Sequence, residues 1–223
     1  VSKTSQIVGE LLVTFGIIVF LFIFYELKVT DWIAAGTQHR LSQTLETQWQ
    51  QPAAIPTTRP GKAAPKAVAD PPLKVVDHQG FAILRIPRFG ADFSRVVVEG
   101  VNEGDLQEGP GHYPGTALPG VIGNMVVSGH RTTYGHPFNQ LDELQNGDAI
   151  TLQVRSKTYT YRVIRKQVVE PSDVGVILPV PGEFGVEPTT RLLTLTTCNP
   201  KYSASTRLIV TAQMITAPTG GAS

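Results

Sequence analysis

From Leu73 to Ile215 the chain is cut into short runs of β-forming residues by Gly- and Pro-bearing turns, and this punctuation restricts what it can fold into. The runs are Phe81–Ile86, Ser94–Glu99, Asn124–Gly129, Ala149–Val154, Tyr159–Glu170, Arg191–Cys198 and Thr206–Ile215. The fourth and fifth read as a hairpin with Ser156 and Lys157 at its turn. Helical periodicity is weak, with short helical turns expected at Asp105–Gln107 and Phe138–Leu144. Seven or eight short strands over this length suit a closed or partly closed β-barrel. A stretch of that size buries a single core without disulfides.

The N-terminal third has a different character. Leu11 to Tyr25 is uncharged and mostly apolar. Extended to Ile7 and Leu27 it approaches the ~20 residues of a spanning helix, and Glu10 and Glu26 then fall near the interfaces, where a carboxylate costs less. A cleaved signal peptide is the rival reading, with W-I-A-A-G (Trp32–Gly36) supplying small residues for cleavage. An uncleaved anchor is favoured, because Glu26, Leu27, Lys28 and Trp32 resemble an interfacial border. Lys3 before the segment and Lys28 and Arg40 after it leave its orientation open. Asp31 to Trp49 reads as one polar helix leaving the membrane. Gln51 to Pro72 contains six prolines and reads as an extended spacer, reaching roughly 70 Å at ~3.1 Å per residue. The expected division is an anchor (1–28), a polar helix and Pro/Ala-rich linker (29–72), a β-barrel (73–217) and a flexible tail (218–223).

The 223 residues carry a formal charge of +1, with the basic residues dispersed. Neither feature gives a reason to expect nucleic acid. A single cysteine excludes an intrachain disulfide and a multi-cysteine zinc site. There is no internal repeat.

That cysteine, Cys198, ends the run L-L-T-L-T-T. Alternation places Thr194, Thr196 and Cys198 on one face and Leu193, Leu195 and Thr197 on the other. Asn199-Pro200 then stops the strand, so the thiol stands at a strand end beside a loop. A cationic neighbour helps to generate or hold a thiolate. His130, which closes the run N-M-V-V-S-G-H, is the candidate, since an imidazole takes a proton and returns it to a leaving amine. Arg207 lies one hairpin length from Cys198 and is the lone charge in T-R-L-I-V-T-A. Its guanidinium suits an oxyanion or a peptide carbonyl. The remaining histidines, His39, His78, His112 and His136, read as structural or surface residues, with His112 also placed to line a substrate path.

These residues resemble the sortases. The family signature T-L-x-T-C matches Thr194–Cys198, with Arg207 a short hairpin later and His130 on an earlier strand. Further matches are G-N-M-V-V-S-G-H-R, F-N-Q-L-D-E-L-Q-N-G-D and Y-T-Y-R-V. G-P-G-H-Y-P-G-T-A-L-P-G and C-N-P-K-Y-S-A-S-T-R-L point to class E of high-GC Gram-positive bacteria, although class F and some class D enzymes share parts of the pattern. The resemblance implies an eight-stranded sortase barrel behind a membrane anchor, outside the membrane. It implies that Cys198 attacks the threonine carbonyl of an LPXTG or LAXTG sorting signal, that His130 protonates the leaving glycine end, and that a cell-wall precursor amine resolves the thioester. Arg207 would stabilise the oxyanion or hold the peptide. Thr196, Thr197 and Tyr113 would contact substrate. No cofactor or metal is required, and Asp142, Glu143 and Asp148 read as surface residues rather than a calcium site. Trp49 is followed by Gln-Gln-Pro rather than by the lid motif of pilus-building enzymes, which favours surface-protein anchoring over pilus polymerisation. A hydrolytic cysteine peptidase shares the same acyl-enzyme, and a β-sandwich binding module with a buried cysteine is the non-enzymatic alternative.

Overall fold

In a computed structural model the chain is described at residues 3–25, 29–50, 73, 75–215 and 219–220. The proline-rich spacer and most of the tail lie outside the described residues. The apolar segment forms helix α1 (Lys3–Phe24), with no buried side chain. Its length and hydropathy suffice to cross a bilayer.

Helix α2 (Thr30–Gln50) is not simply a polar stalk. It lies on the barrel through a stripe at helical spacing: Ala34, Gln38, Leu41, Leu45 and Trp49. Leu45 is buried against Ile83 and Val96, flanked by Leu41 and Trp49. Gln38 behaves as a fragment of neighbouring strand. Its Oε1 accepts from Val96 N–H at 2.7 Å, and its Nε2 donates to Val96 O at 3.2 Å and Glu108 O at 2.7 Å. The stripe contains an alanine and a glutamine, so the apolar period that marks a docked helix is faint in the sequence.

The barrel strands are β1 (Gly80–Arg85), β2 (Ser94–Glu99), β3 (Gly111–His112), β4 (Gly123–Ser128), β5 (Ala149–Val154), β6 (Lys157–Val169), β7 (Arg191–Asn199) and β8 (Thr206–Met214). They run in the order β5-β1-β2-β3-β4-β7-β8-β6, and pairing of β5 with β6 closes the sheet. A two-residue β9 (Thr219–Gly220) adds to β6. The closed eight-stranded β-barrel expected from the sequence is thus present. Its interior holds Leu84, Met125, Val127, Phe138, Tyr161, Leu193, Leu195 and Val210. Closure leaves no long exposed edge.

Boundaries differ from expectation in a few places. The β5–β6 turn is Arg155-Ser156, with Arg155 at φ +54°, one residue earlier than expected. The first helical turn extends to helix α3 (Glu103–Glu108), capped by reciprocal bonds between Asn102 and Asp105. The second contracts to a 3-10 turn at Leu141–Glu143. β3 was not expected, because its two residues are recruited by β2 and β4 on either side rather than by their own propensity.

Candidate active site

β4 and β7 are parallel, and their register runs to Ser128 opposite Thr196. Two residues further along each chain stand His130 and Cys198. β7 and β8 are antiparallel, and Cys198 pairs directly with Arg207. Directly paired residues share a face, so strand register alone gathers the three side chains at one end of the β4–β7–β8 wall. All three are half-buried. Leu193 and Leu195 point into the core, which leaves Thr194, Thr196 and Cys198 on the opposite face.

The imidazole is set by close packing behind it. Gly129 has no room for a side chain, since a Cβ there would lie 2.7 Å from the Phe138 ring. The His130 carbonyl accepts from Phe138 N–H at 3.1 Å. Its Nε2 is buried and, among the described residues, has no hydrogen-bond partner. Burial pushes its pKa below the ordinary histidine value, against a weaker upward pull from Glu103. Burial thus disfavours the charged imidazolium.

Arg207 is steered by the loop between β7 and β8. Its Nη1 donates to Ala204 O at 2.9 Å and Thr206 O at 3.1 Å. Among the described residues it is paired with no carboxylate, which leaves its charge available to an incoming anion or carbonyl.

The other sequence candidates divide. Thr197 is buried and its hydroxyl donates to Gly129 O at 2.7 Å, so this side chain ties the two strand ends together. Thr196 is buried on the Cys198 face. Tyr113 is half-buried beside β4, its N–H donating to Val126 O at 2.9 Å. His112 lines no open path. It is 1 % exposed, with Nδ1 2.6 Å from Glu99 Oε2 and Nε2 3.1 Å from Ala117 O. Asp142 and Asp148 are paired with Arg131 and Arg88. Among the described residues no cluster of His, Cys, Asp or Glu is arranged to hold a metal.

Two neighbours of the histidine escaped sequence reading. Arg131 is buried and spans both strand exits. Its Nη1 donates to Asn199 Oδ1 at 2.7 Å and Cys198 O at 3.3 Å, and its Nη2 meets Asp142 Oδ1 at 3.0 Å. Tyr134, at φ +50°, lays its ring 5.1 Å from that of His130. The next residue ties this loop to α2, since Gly135 N–H donates to Asp31 Oδ1 at 2.9 Å. An arginine and a tyrosine beside the histidine were the available signals. Their partners come from a loop fold that local sequence does not specify.

A barrel of this topology with Cys, His and Arg converging on one strand end defines a thiol acyl-transfer scaffold. The sortase domain family matches residues 84–215, and the chain belongs to the sortase family of cysteine transpeptidases. It is of the class E type. Sortase SrtE1 of Streptomyces coelicolor is 32% identical over 95% of this chain, which spans 57% of that protein's length. The solved sortase E of Streptomyces avermitilis is 41% identical with a TM-score of 0.58, covering 64% of this chain and 93% of that one. The SrtF sortase of Corynebacterium diphtheriae is 30% identical with a TM-score of 0.65, covering 73% of this chain and 96% of that one.

Proposed function

We propose that this chain is a membrane-anchored transpeptidase that cleaves an LPXTG- or LAXTG-type sorting signal between Thr and Gly and joins the released carboxyl end to a cell-wall amine. The observation that carries this reading is the register that sets Cys198 opposite Arg207, with His130 at the end of the adjoining strand. The Cys198 thiol gives its proton to His130 as its sulfur attacks the threonine carbonyl, and Arg207 stabilises the resulting oxyanion. Collapse breaks the Thr–Gly bond, the glycine nitrogen takes a proton from His130, and a thioester remains on Cys198. An amine then attacks, giving its proton to His130, which passes it to the departing Cys198 sulfur and restores the resting thiol. Thr196 and Tyr113 line the bound peptide, and Thr197 contributes by fixing the strand ends. A sortase E1 structure from Streptomyces coelicolor has a tripeptide in its active site, which supports a peptide substrate here.

The acceptor is a peptidoglycan-precursor amine and the donors are surface proteins bearing the signal. Helix α1 serves as a single-pass anchor, with the barrel on the extracellular side. The full chain in detergent, given LPXTG and LAXTG peptides with and without an amine, tests this. Transfer reading predicts an amide product that replaces the hydrolysed acid as amine is added. Hydrolysed product alone under saturating amine would reassign the protein as a cysteine peptidase.

A further inference from the structure

The loop that carries the chain away from His130 holds three successive residues in the left-handed region: Tyr134 at φ +50°, Gly135 at φ +70° and His136 at φ +33°. Only the glycine adopts that conformation freely. Residues with a Cβ keep it where their surroundings impose it. Bonds within the loop supply part of the restraint, since His136 N–H donates to Thr133 O at 2.9 Å. Helix α2 supplies another part. Asp31, in its first turn, uses both carboxylate oxygens on the loop. Its Oδ1 accepts from Gly135 N–H at 2.9 Å, and its Oδ2 lies 3.4 Å from His136 Nε2. Ala34, one turn on, closes against Gly135, where an added Cβ would stand 3.2 Å from the alanine methyl.

Beside these contacts the loop is loosely backed. A cavity of about 280 Å³ lies between it and α2, with Asp31, Ala35, Arg95, Tyr134 and His136 among its walls. Packing on this side of Tyr134 is therefore incomplete, and the carboxylate holds the turn across the gap. Of its two contacts, the bond from Gly135 N–H is the stronger tie, because a charged acceptor strengthens it. The pair with His136 is 29% and 46% exposed on its two sides, and an ion pair open to water contributes little.

What the turn holds is Tyr134, whose ring lies 5.1 Å from that of His130 at an interplanar angle of 41°. A catalytic base is itself oriented by a third group. Among the described residues no ion pair includes His130, and its Nε2 has no partner. The orienting role falls to packing, and Tyr134 is the ring packed against the imidazole.

We propose that Asp31 is a positioning residue for the reaction at Cys198: it clamps the turn at Tyr134–His136, and through Tyr134 it fixes the His130 imidazole for its proton transfers. The helix that follows the apolar segment thereby becomes a working part of the active site. The proposal rests on the transpeptidase reading above.

The full chain in detergent, given the sorting peptide and saturating amine, is compared with Asp31→Ala, Asp31→Asn, Tyr134→Ala and the Asp31→Ala/Tyr134→Ala double variant. Asp31→Ala is expected to lower kcat by ~10-fold with KM little changed, since the imidazole is displaced and the peptide contacts are not. Asp31→Asn keeps an acceptor for Gly135 N–H and is expected to recover most of that loss. The double variant is expected to match Tyr134→Ala alone, because Asp31 acts through that ring. An unchanged kcat in Asp31→Ala, a loss carried by KM, or losses that multiply in the double variant would overturn the proposal. A wild type that fails to process the peptide at all would instead remove the transpeptidase reading, and this proposal with it.

Discussion

His112 and His130 each sit at the end of a short barrel strand, yet their surroundings are opposite. At the β2–β3 edge His112 is enclosed, with Glu99 on one ring nitrogen and Ala117 and Thr116 near the other. At the β4–β7 end His130 keeps a buried Nε2 without a partner among the described residues. Buried polar groups are ordinarily satisfied, so His112 fits the pattern of a structural residue and His130 departs from it. Among the described residues Arg131 Nε is the other buried side-chain nitrogen left without a partner, so spare hydrogen-bonding capacity gathers at the end of the β4–β7 pair.

The sharpest break of that comparison exchanges the two sites' phenotypes. His130→Ala or Cys198→Ala is expected to lower kcat/KM by ~10³-fold or more with little change in Tm. His112→Ala is expected to do the reverse, costing about 3–5 kcal/mol of stability by leaving Glu99 buried and unpaired. Thermal melts beside peptide cleavage assays check both, and a stable, active His112→Ala protein would erase the distinction.

Arg131 lies between the two classes. It touches the strand ends and is fixed by three acceptors. Arg131→Lys keeps the charge and loses the fork geometry. A fall of ~10- to 100-fold in kcat, with KM little altered, is expected from misplacing Cys198 relative to His130. An unchanged kcat would show that the strand ends hold themselves.

The protonation of His130 gives a further test. Its native pKa is lowered by burial, so below about pH 6.5 the unfolded chain binds a proton that the native site resists. The stability tied to the neutral ring is present above the unfolded value and is lost as pH falls toward the native one. Wild type should lose stability relative to His130→Gln on acidification, read as Tm across pH 7.5 to 5. The smallest effect belongs to Gln38→Ala. Removing the bonds to Val96 should cost about 1–2 kcal/mol while leaving the cleavage rate intact.

The meeting of Cys198 and Arg207 was legible because each stands out against its strand. Cys198 is the lone thiol before Asn-Pro, Arg207 is the lone charge in T-R-L-I-V-T-A, and hairpin length anticipates their pairing. The strands themselves were legible from alternation, within a residue or two at their ends. What escaped depends on contacts made far away in sequence. Arg131 needed Asp142 and Asn199 to be brought round to it. The α2 stripe is hidden because Ala34 and Gln38 do the work of apolar residues at close approach. The β5–β6 turn moved because Arg155 takes a left-handed conformation more usual for Gly or Asn.

The central claim is that Cys198 forms the acyl-enzyme. The most direct measurement is the intact mass of the full chain in detergent, quenched during turnover of an LPXTG or LAXTG peptide. The account predicts a thioacyl adduct on Cys198 that amine clears and that Cys198→Ala lacks. A folded protein that cleaves the peptide with no adduct, or that retains cleavage as Cys198→Ala, would contradict it.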